Sequence, residues 1–127
     1  MKSYGKLIYS PRSHLGSNKD WVVLMCDDEI SKYYRTLFSK EFPWRKKLNR
    51  PIWGAHISVI RGESVPNKHL WGLNANQIIE FDYEPGVIDN DKFYWLKARC
   101  KILSDLRIKY GLSKNPQFGF HLTLAIN

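Results

Sequence analysis

Apolar residues come in short blocks along this chain, and only twice do they space out into a helical stripe. Residues 6–10 predict a short strand that Pro11 ends, since proline brings no N–H to a ladder. Residues 10–20 are polar and rich in turn formers. Trp21–Cys26 is a continuous apolar run around Val22 and Val23, short enough for a buried strand. Asp27, Asp28 and Glu29 then open a helix, with a capping acid and charges that complement its dipole. Ile30, Tyr33, Tyr34, Leu37, Phe38 and Phe42 form its apolar stripe, and Pro43 ends it. After a loop over 44–53, a second apolar run at 54–60 predicts another strand, with Arg61, Gly62 and Glu63 turning out of it.

Residues 64–77 carry Pro66, Gly72 and three asparagines, and only residues 68–71 hint at a helical turn; a lid over a cleft is one use for such a segment. Beyond it, residues 78–83 alternate apolar and acidic, the mark of a half-buried strand. Residues 93–98 make an aromatic-rich strand. From about Arg99 a helix follows with Ile102, Leu103, Leu106 and Tyr110 on one face, Gly111 as its cap, and Lys101, Arg107 and Lys109 on solvated faces. A loop through Pro116 leads into an apolar run at 118–126.

Both halves thus read strand, strand, helix, strand. The expected architecture is a single α+β domain over 1–127, made of two similar lobes at about 4–63 and 77–127. Duplicated ββαβ units would set antiparallel sheets around a central cleft, with helices packed outside. At 43% hydrophobic and 14% aromatic, the chain of 127 residues has the composition of a folded globule. Its 20 Lys and Arg against 12 Asp and Glu leave a net charge of +8, which favours polyanionic partners. The first residues show no hydrophobic run after their charge, and no apolar stretch is long enough to span a bilayer, so a cytoplasmic protein without a membrane partner is expected. Cys26 and Cys100 have no metal-like spacing and read as reduced thiols.

The candidate chemistry lies in the last strand of each half. His56, Ile57, Ser58 and Val59 match His121, Leu122, Thr123 and Leu124: a histidine, a hydrophobe, a hydroxyl residue and a hydrophobe. In a strand, i and i+2 share a face. Each motif would therefore send two hydrophobes into a core and present an imidazole beside a hydroxyl on the other side. One such motif alone is a weak signal; two of the same polarity, closing the same order of elements, are a strong one. Histidine titrates near neutrality, so one ring can act as base and the other as acid. The hydroxyls can hold the non-bridging oxygens of a phosphate, where transition-state charge gathers. His14 and His69 lack the pattern.

These paired motifs resemble the signature of the 2H phosphoesterases, the superfamily of two-histidine phosphodiesterases, over residues 4–127. The resemblance implies a compact two-lobed fold and metal-independent cleavage of phosphodiesters or 2′,3′-cyclic phosphates. His56 and His121 would be the catalytic pair, and Ser58 and Thr123 the phosphate-binding hydroxyls. Ser58 stands where threonine is commoner in the family, and the chain stops soon after the second motif, where many relatives carry further strands. Gly119, Phe120, His121, Leu122 and Thr123 resemble the ending of small phage-encoded members, some of which, the anti-CBASS phosphodiesterases, cut cyclic oligonucleotide signals of bacterial immunity. A phage origin would place the protein in the host cytoplasm.

Three readings follow. The first is cleavage of cyclic oligonucleotides. The second is an RNA enzyme that opens 2′,3′-cyclic phosphates or processes 2′-5′ oligonucleotides. The third is a module that sequesters nucleotides without cutting them, against which the complete imidazole and hydroxyl set counts. Tyr9, Trp53, Tyr94 and Trp95 are candidates to stack a base. Arg45, Lys46, Lys47 and Arg50, between Trp44 and Trp53, would suit a nucleic-acid backbone. Neither motif brings an adjacent carboxylate or thiolate, so no metal or other cofactor is expected, and no obligate protein partner is evident.

Overall fold

A computed structural model describes residues 1–9, 21–44, 48–49, 54–90 and 92–126. Seven strands and two helices follow one another as β1 (Lys2–Tyr9), β2 (Trp21–Cys26), α1 (Asp28–Glu41), β3 (His56–Arg61), β4 (Ile78–Tyr83), β5 (Ile88–Asp89), β6 (Phe93–Arg99), α2 (Lys101–Lys109) and β7 (Phe120–Ile126). The strands join into one antiparallel sheet in the order β4, β1, β2, β3, β7, β6, β5. A further pairing of β4 with β6 closes six of them into a barrel, with β5 alongside β6. Asp82 pairs with Lys2 at the start of β1 and with Arg99 at the end of β6. That offset is the stagger a sheet needs to close on itself.

This corrects the expectation of an α+β fold with two lobes of duplicated ββαβ units around a cleft. The molecule is mostly β, and the strands of the two halves belong to one closed sheet, because β1 pairs with β4 and β3 with β7. The inward row explains why. Leu7 faces Leu24, Leu24 faces Ile57, Ile57 faces Leu122, and Leu122 faces Leu96. All five are fully buried, so one layer of branched aliphatics runs around most of the barrel wall. A single core of this kind has no place for two separate lobes, and closure removes the exposed edges that open sheets must protect.

The helices sit at opposite ends. The α1 helix is capped by Asp27, whose carboxylate accepts from Glu29 N at 3.0 Å, a contact worth about 1 kcal/mol. It packs through Tyr34 on Tyr83 and through Phe38 on Tyr94, while the buried Ser31 donates to the Leu124 carbonyl. Tyr33 and Leu37, expected in its buried stripe, are exposed. At the other end Leu103 and Leu106 of α2 and Tyr110, the residue that caps it, enter the core, and the Tyr110 and Tyr9 hydroxyls are hydrogen-bonded at 2.8 Å. Ile102, expected on that face, is exposed. Gly111 ends α2 with φ +85°, and a Cβ there would meet the Pro66 ring at 3.0 Å.

Arg107 is the larger departure. Expected in solvent, it is 1% exposed and donates to the Val59 and Ser113 carbonyls and to both carboxylate oxygens of Glu63. Residues 64–77 contain a short 3-10 turn, Lys68–Leu70. They are tied to α2 and β1 through Asn67 N to Tyr110 O (3.2 Å) and Asn76 N to Leu7 O (2.7 Å). No helix among the described residues is long and apolar enough to cross a membrane.

Candidate active site

The residue parity that drives Ile57, Leu122 and Leu96 inward sends their neighbours outward. His56 stands opposite Thr123, and Thr123 opposite Trp95. Ser58 lines the same cleft as His121, which faces Lys97 on its other side. The two histidines are thus diagonal neighbours on adjacent strands, a relationship of about 7–8 Å between backbones. Both motif hydroxyls line the same cleft, Thr123 directly across from His56. The expected convergence of His56, Ser58, His121 and Thr123 is present, on the outer wall of a barrel rather than between two lobes.

Each motif strand is entered through a left-handed glycine two residues before its histidine, Gly54 at φ +73° and Gly119 at φ +77°. A side chain is disfavoured at such angles. The turns carry backbone carbonyls to the rings. His56 Nδ1–H donates to the Gly54 carbonyl at 2.8 Å, which leaves Nε2 as its unprotonated nitrogen in the neutral ring. His121 is held the other way round, with Nε2–H donating to the Phe118 carbonyl at 2.7 Å. Its ring also stacks on Trp95, with centroids 5.2 Å apart and planes at 29°. The repeat of glycine, any residue, histidine was visible in the sequence and extends the motif by two positions.

A cleft of about 430 Å³ opens over these side chains, and its lining includes the polar residues His56, Ser58, Arg61, Glu63, Gln117, His121 and Thr123. Arg61 was not anticipated as a site residue. Its guanidinium lies 4.9 Å from the centre of the Trp21 ring, a cation–π contact that fixes it at the end of β3. Glu63 is the carboxylate of the cleft, but the hydrogen bond from Arg107 holds its carboxyl below the ordinary range. His56 is only 7% exposed, and burial pushes its pKa below the usual histidine value; the Gly54 carbonyl opposes this in part, and the Arg61 charge adds to it. The imidazole is therefore neutral near pH 7, with Nε2 ready to accept a proton.

Beside this cleft, and sharing His121, Thr123 and Phe118 with it, lies a second compartment of about 520 Å³ bounded by β5 and β6. Of the expected base-stacking residues, Trp95 is brought here. Tyr94, its neighbour, points inward, is 2% exposed and packs on Phe38. Tyr9 lies at the α2 end, with its hydroxyl bonded to Leu73 O and its ring against Trp71. Trp53, like Arg45, Lys46, Lys47 and Arg50, lies outside the described residues. No group of three or more His, Cys, Asp or Glu side chains converges as a metal site among the described residues. Comparison with models of known protein families, with curated proteins and with solved structures returned no match.

Proposed function

We propose that the chain is a two-histidine phosphodiesterase that cleaves nucleotide phosphodiester bonds by acid–base catalysis without metal, with cyclic oligonucleotides as its preferred substrates. The carrying observation is the diagonal of His56 and His121 across β3 and β7, with His56 opposite Thr123 and Ser58 lining the same cleft as His121. That geometry suits an in-line displacement at phosphorus. His56 Nε2 removes the proton from a ribose 2′-hydroxyl, and that oxygen forms a bond to phosphorus. The bond from phosphorus to the 5′-oxygen breaks as His121 protonates the leaving group. The products are a 2′,3′-cyclic phosphate and a free 5′-hydroxyl.

The hydrogen bonds on the two rings support this division of labour. His56 is neutral and anchored through Nδ1. When His121 carries both protons, Nε2–H stays on the Phe118 carbonyl and Nδ1–H is the donor left for the leaving oxygen. Ser58, Thr123 and the Arg61 guanidinium neutralise charge on the non-bridging oxygens. The excess of positive charge favours arrival of an anionic substrate. The test is incubation with cyclic di- and trinucleotides, linear 3′-5′ and 2′-5′ oligomers and a 2′,3′-cyclic phosphate, all in EDTA. Cleavage of a cyclic oligonucleotide that disappears in His56→Ala and His121→Ala supports the proposal. Absence of cleavage across the whole panel overturns it.

A further inference from the structure

The second compartment has a lining unlike that of the first. Phe118 is 74% exposed, Phe93 is 40% exposed, and Ile88 is exposed beside them. Three large apolar side chains left in water around one concavity mark a binding surface. The polar groups at its edge are few and placed. Asn90 Oδ1 accepts from Lys92 N at 3.1 Å and from Phe93 N at 2.8 Å, so the group Asn90 can present to a ligand is its Nδ2–H₂ donor. Lys97 stands across the ladder from His121 and adds a cation where the two compartments meet. The Trp95 ring is engaged by His121, and the Lys92 ammonium lies 5.4 Å from the centre of the Phe93 ring. This leaves the exposed Phe118 and the part of Phe93 that lines the compartment as its aromatic surfaces among the described residues.

Both compartments share His121, Thr123 and Phe118. A ligand that fills both must therefore cross the motif hydroxyl and the acid histidine at its middle. Apolar, aromatic walls with a donor at the rim suit a nucleobase; a polar cleft with a cation and two hydroxyls suits a phosphate and ribose. We infer that the compartment between Phe93 and Phe118 is a nucleobase subsite, so that the enzyme prefers an internal linkage with a nucleoside on each side over a terminal 2′,3′-cyclic phosphate. This deepens the phosphodiesterase reading and rests on it for the position of the scissile bond. The subsite itself is testable by binding alone.

The experiment measures binding of the dinucleoside monophosphate ApA and of adenosine 2′,3′-cyclic phosphate by calorimetry in EDTA. The proteins are the wild type, Phe118→Ala, Phe93→Ala, Phe118→Tyr and, as an exposed aromatic elsewhere, Tyr33→Ala. Phe118→Ala and Phe93→Ala are expected to raise the Kd for ApA about tenfold or more, the scale of one stacked base. The Kd for the cyclic mononucleotide should stay within about twofold, and Phe118→Tyr and Tyr33→Ala should match the wild type in both. Equal losses for both ligands, no loss in either alanine variant, or no ApA binding by the wild type would overturn the subsite. Cleavage of ApA, followed in the same samples, separates the two ideas. Phe118-dependent binding without any cleavage leaves the subsite standing and the phosphodiesterase reading fallen. His56-dependent cleavage indifferent to Phe93 and Phe118 does the reverse.

Discussion

His56 and Thr123 face each other across the β3–β7 pairing, and two residues before each motif histidine a left-handed glycine turns the chain into its strand. The rings are nonetheless held by opposite nitrogens, His56 through Nδ1 and His121 through Nε2. The proposed roles of base and acid rest on this unlike anchoring. With a natural 5′-nucleoside leaving group, His56→Ala and His121→Ala should each reduce turnover by roughly a hundredfold or more, with circular dichroism unchanged. With a p-nitrophenyl ester in place of the 5′-nucleoside, the leaving oxygen needs no proton. His121→Ala should then recover most of its activity, and His56→Ala should not. Recovery of both variants, or of His56→Ala alone, would show the assignment of base and acid to be wrong.

Chelation offers a second check. The groups proposed to meet the phosphate are two imidazoles, two hydroxyls and a guanidinium, and Glu63, the one carboxylate that lines the cleft among the described residues, is occupied by Arg107. Turnover should survive exhaustive dialysis against EDTA with less than about a twofold change, far below the tenfold or greater losses that follow disruption of a working metal site. Loss of activity that zinc or manganese restores would replace the acid–base scheme with a metal-assisted one.

The pair of Arg107 and Glu63 should matter to stability in an unequal way. Arg107 is the deeply buried partner, while Glu63 keeps about a third of its side chain in solvent. Removing the carboxylate strands a buried cation, so Glu63→Ala should cost about 3 kcal/mol or more. Arg107→Met leaves only a carboxylate that is already about a third in solvent and fills the space with an apolar chain, so it should cost less. Urea unfolding of the two variants gives the comparison; a milder Glu63→Ala than Arg107→Met would contradict it. Loss of Glu63 should also weaken phosphate binding, because Arg61 and Glu63 leave β3 on the same turn, around Gly62 at φ +67°.

Local pattern carried much of the structure in the sequence. The continuous run Trp21–Cys26 and the alternation in Ile78–Tyr83 are strands with those bounds, because parity along a strand is a short-range property. The same parity set His56 and Ser58, and His121 and Thr123, on common faces. What pattern could not supply was which strands pair. The barrel depends on β1 meeting β4 and on the two-residue contact of β4 with β6, and nothing in either segment names its neighbour. Arg107 reads as a surface residue on a helical wheel; its burial follows from Glu63 and the Val59 carbonyl, far away in the chain. Tyr94 and Trp95 are adjacent, so only one could face the cleft. The bulge between them, where the register with β7 shifts, obscured which one.

The last prediction ties His56 to pH in two separable ways. Its folded pKa is lowered from 6.5, chiefly by burial. In the unfolded chain the ring takes up a proton near 6.5, while in the folded protein it does so only at lower pH. Between these values the unfolded state binds more protons, so stability increases with pH there. The contribution of His56 is thus present in full above about pH 6.5 and is lost as the pH falls through the folded pKa. His56→Gln should abolish this part of the decline, seen as a flatter urea midpoint between pH 7.5 and 5.5 than in the wild type. Glu63 does not confuse the comparison: its lowered carboxyl pKa, below 4.5, acts at more acid pH. The same shift governs rate. In the free enzyme the acid limb of kcat/KM, where the base must be neutral, should lie on the acid side of pH 6.5. In the substrate complex a bound anionic phosphate favours the charged ring and should move that limb upward in kcat. An alkaline limb belongs to the proton donor, and the two limbs report the pair rather than either histidine alone. Identical pH dependence of stability in wild type and His56→Gln would mean that the imidazole is not desolvated. A rate that climbs steadily with hydroxide, with chemistry limiting, would mean that no histidine acts as the acid.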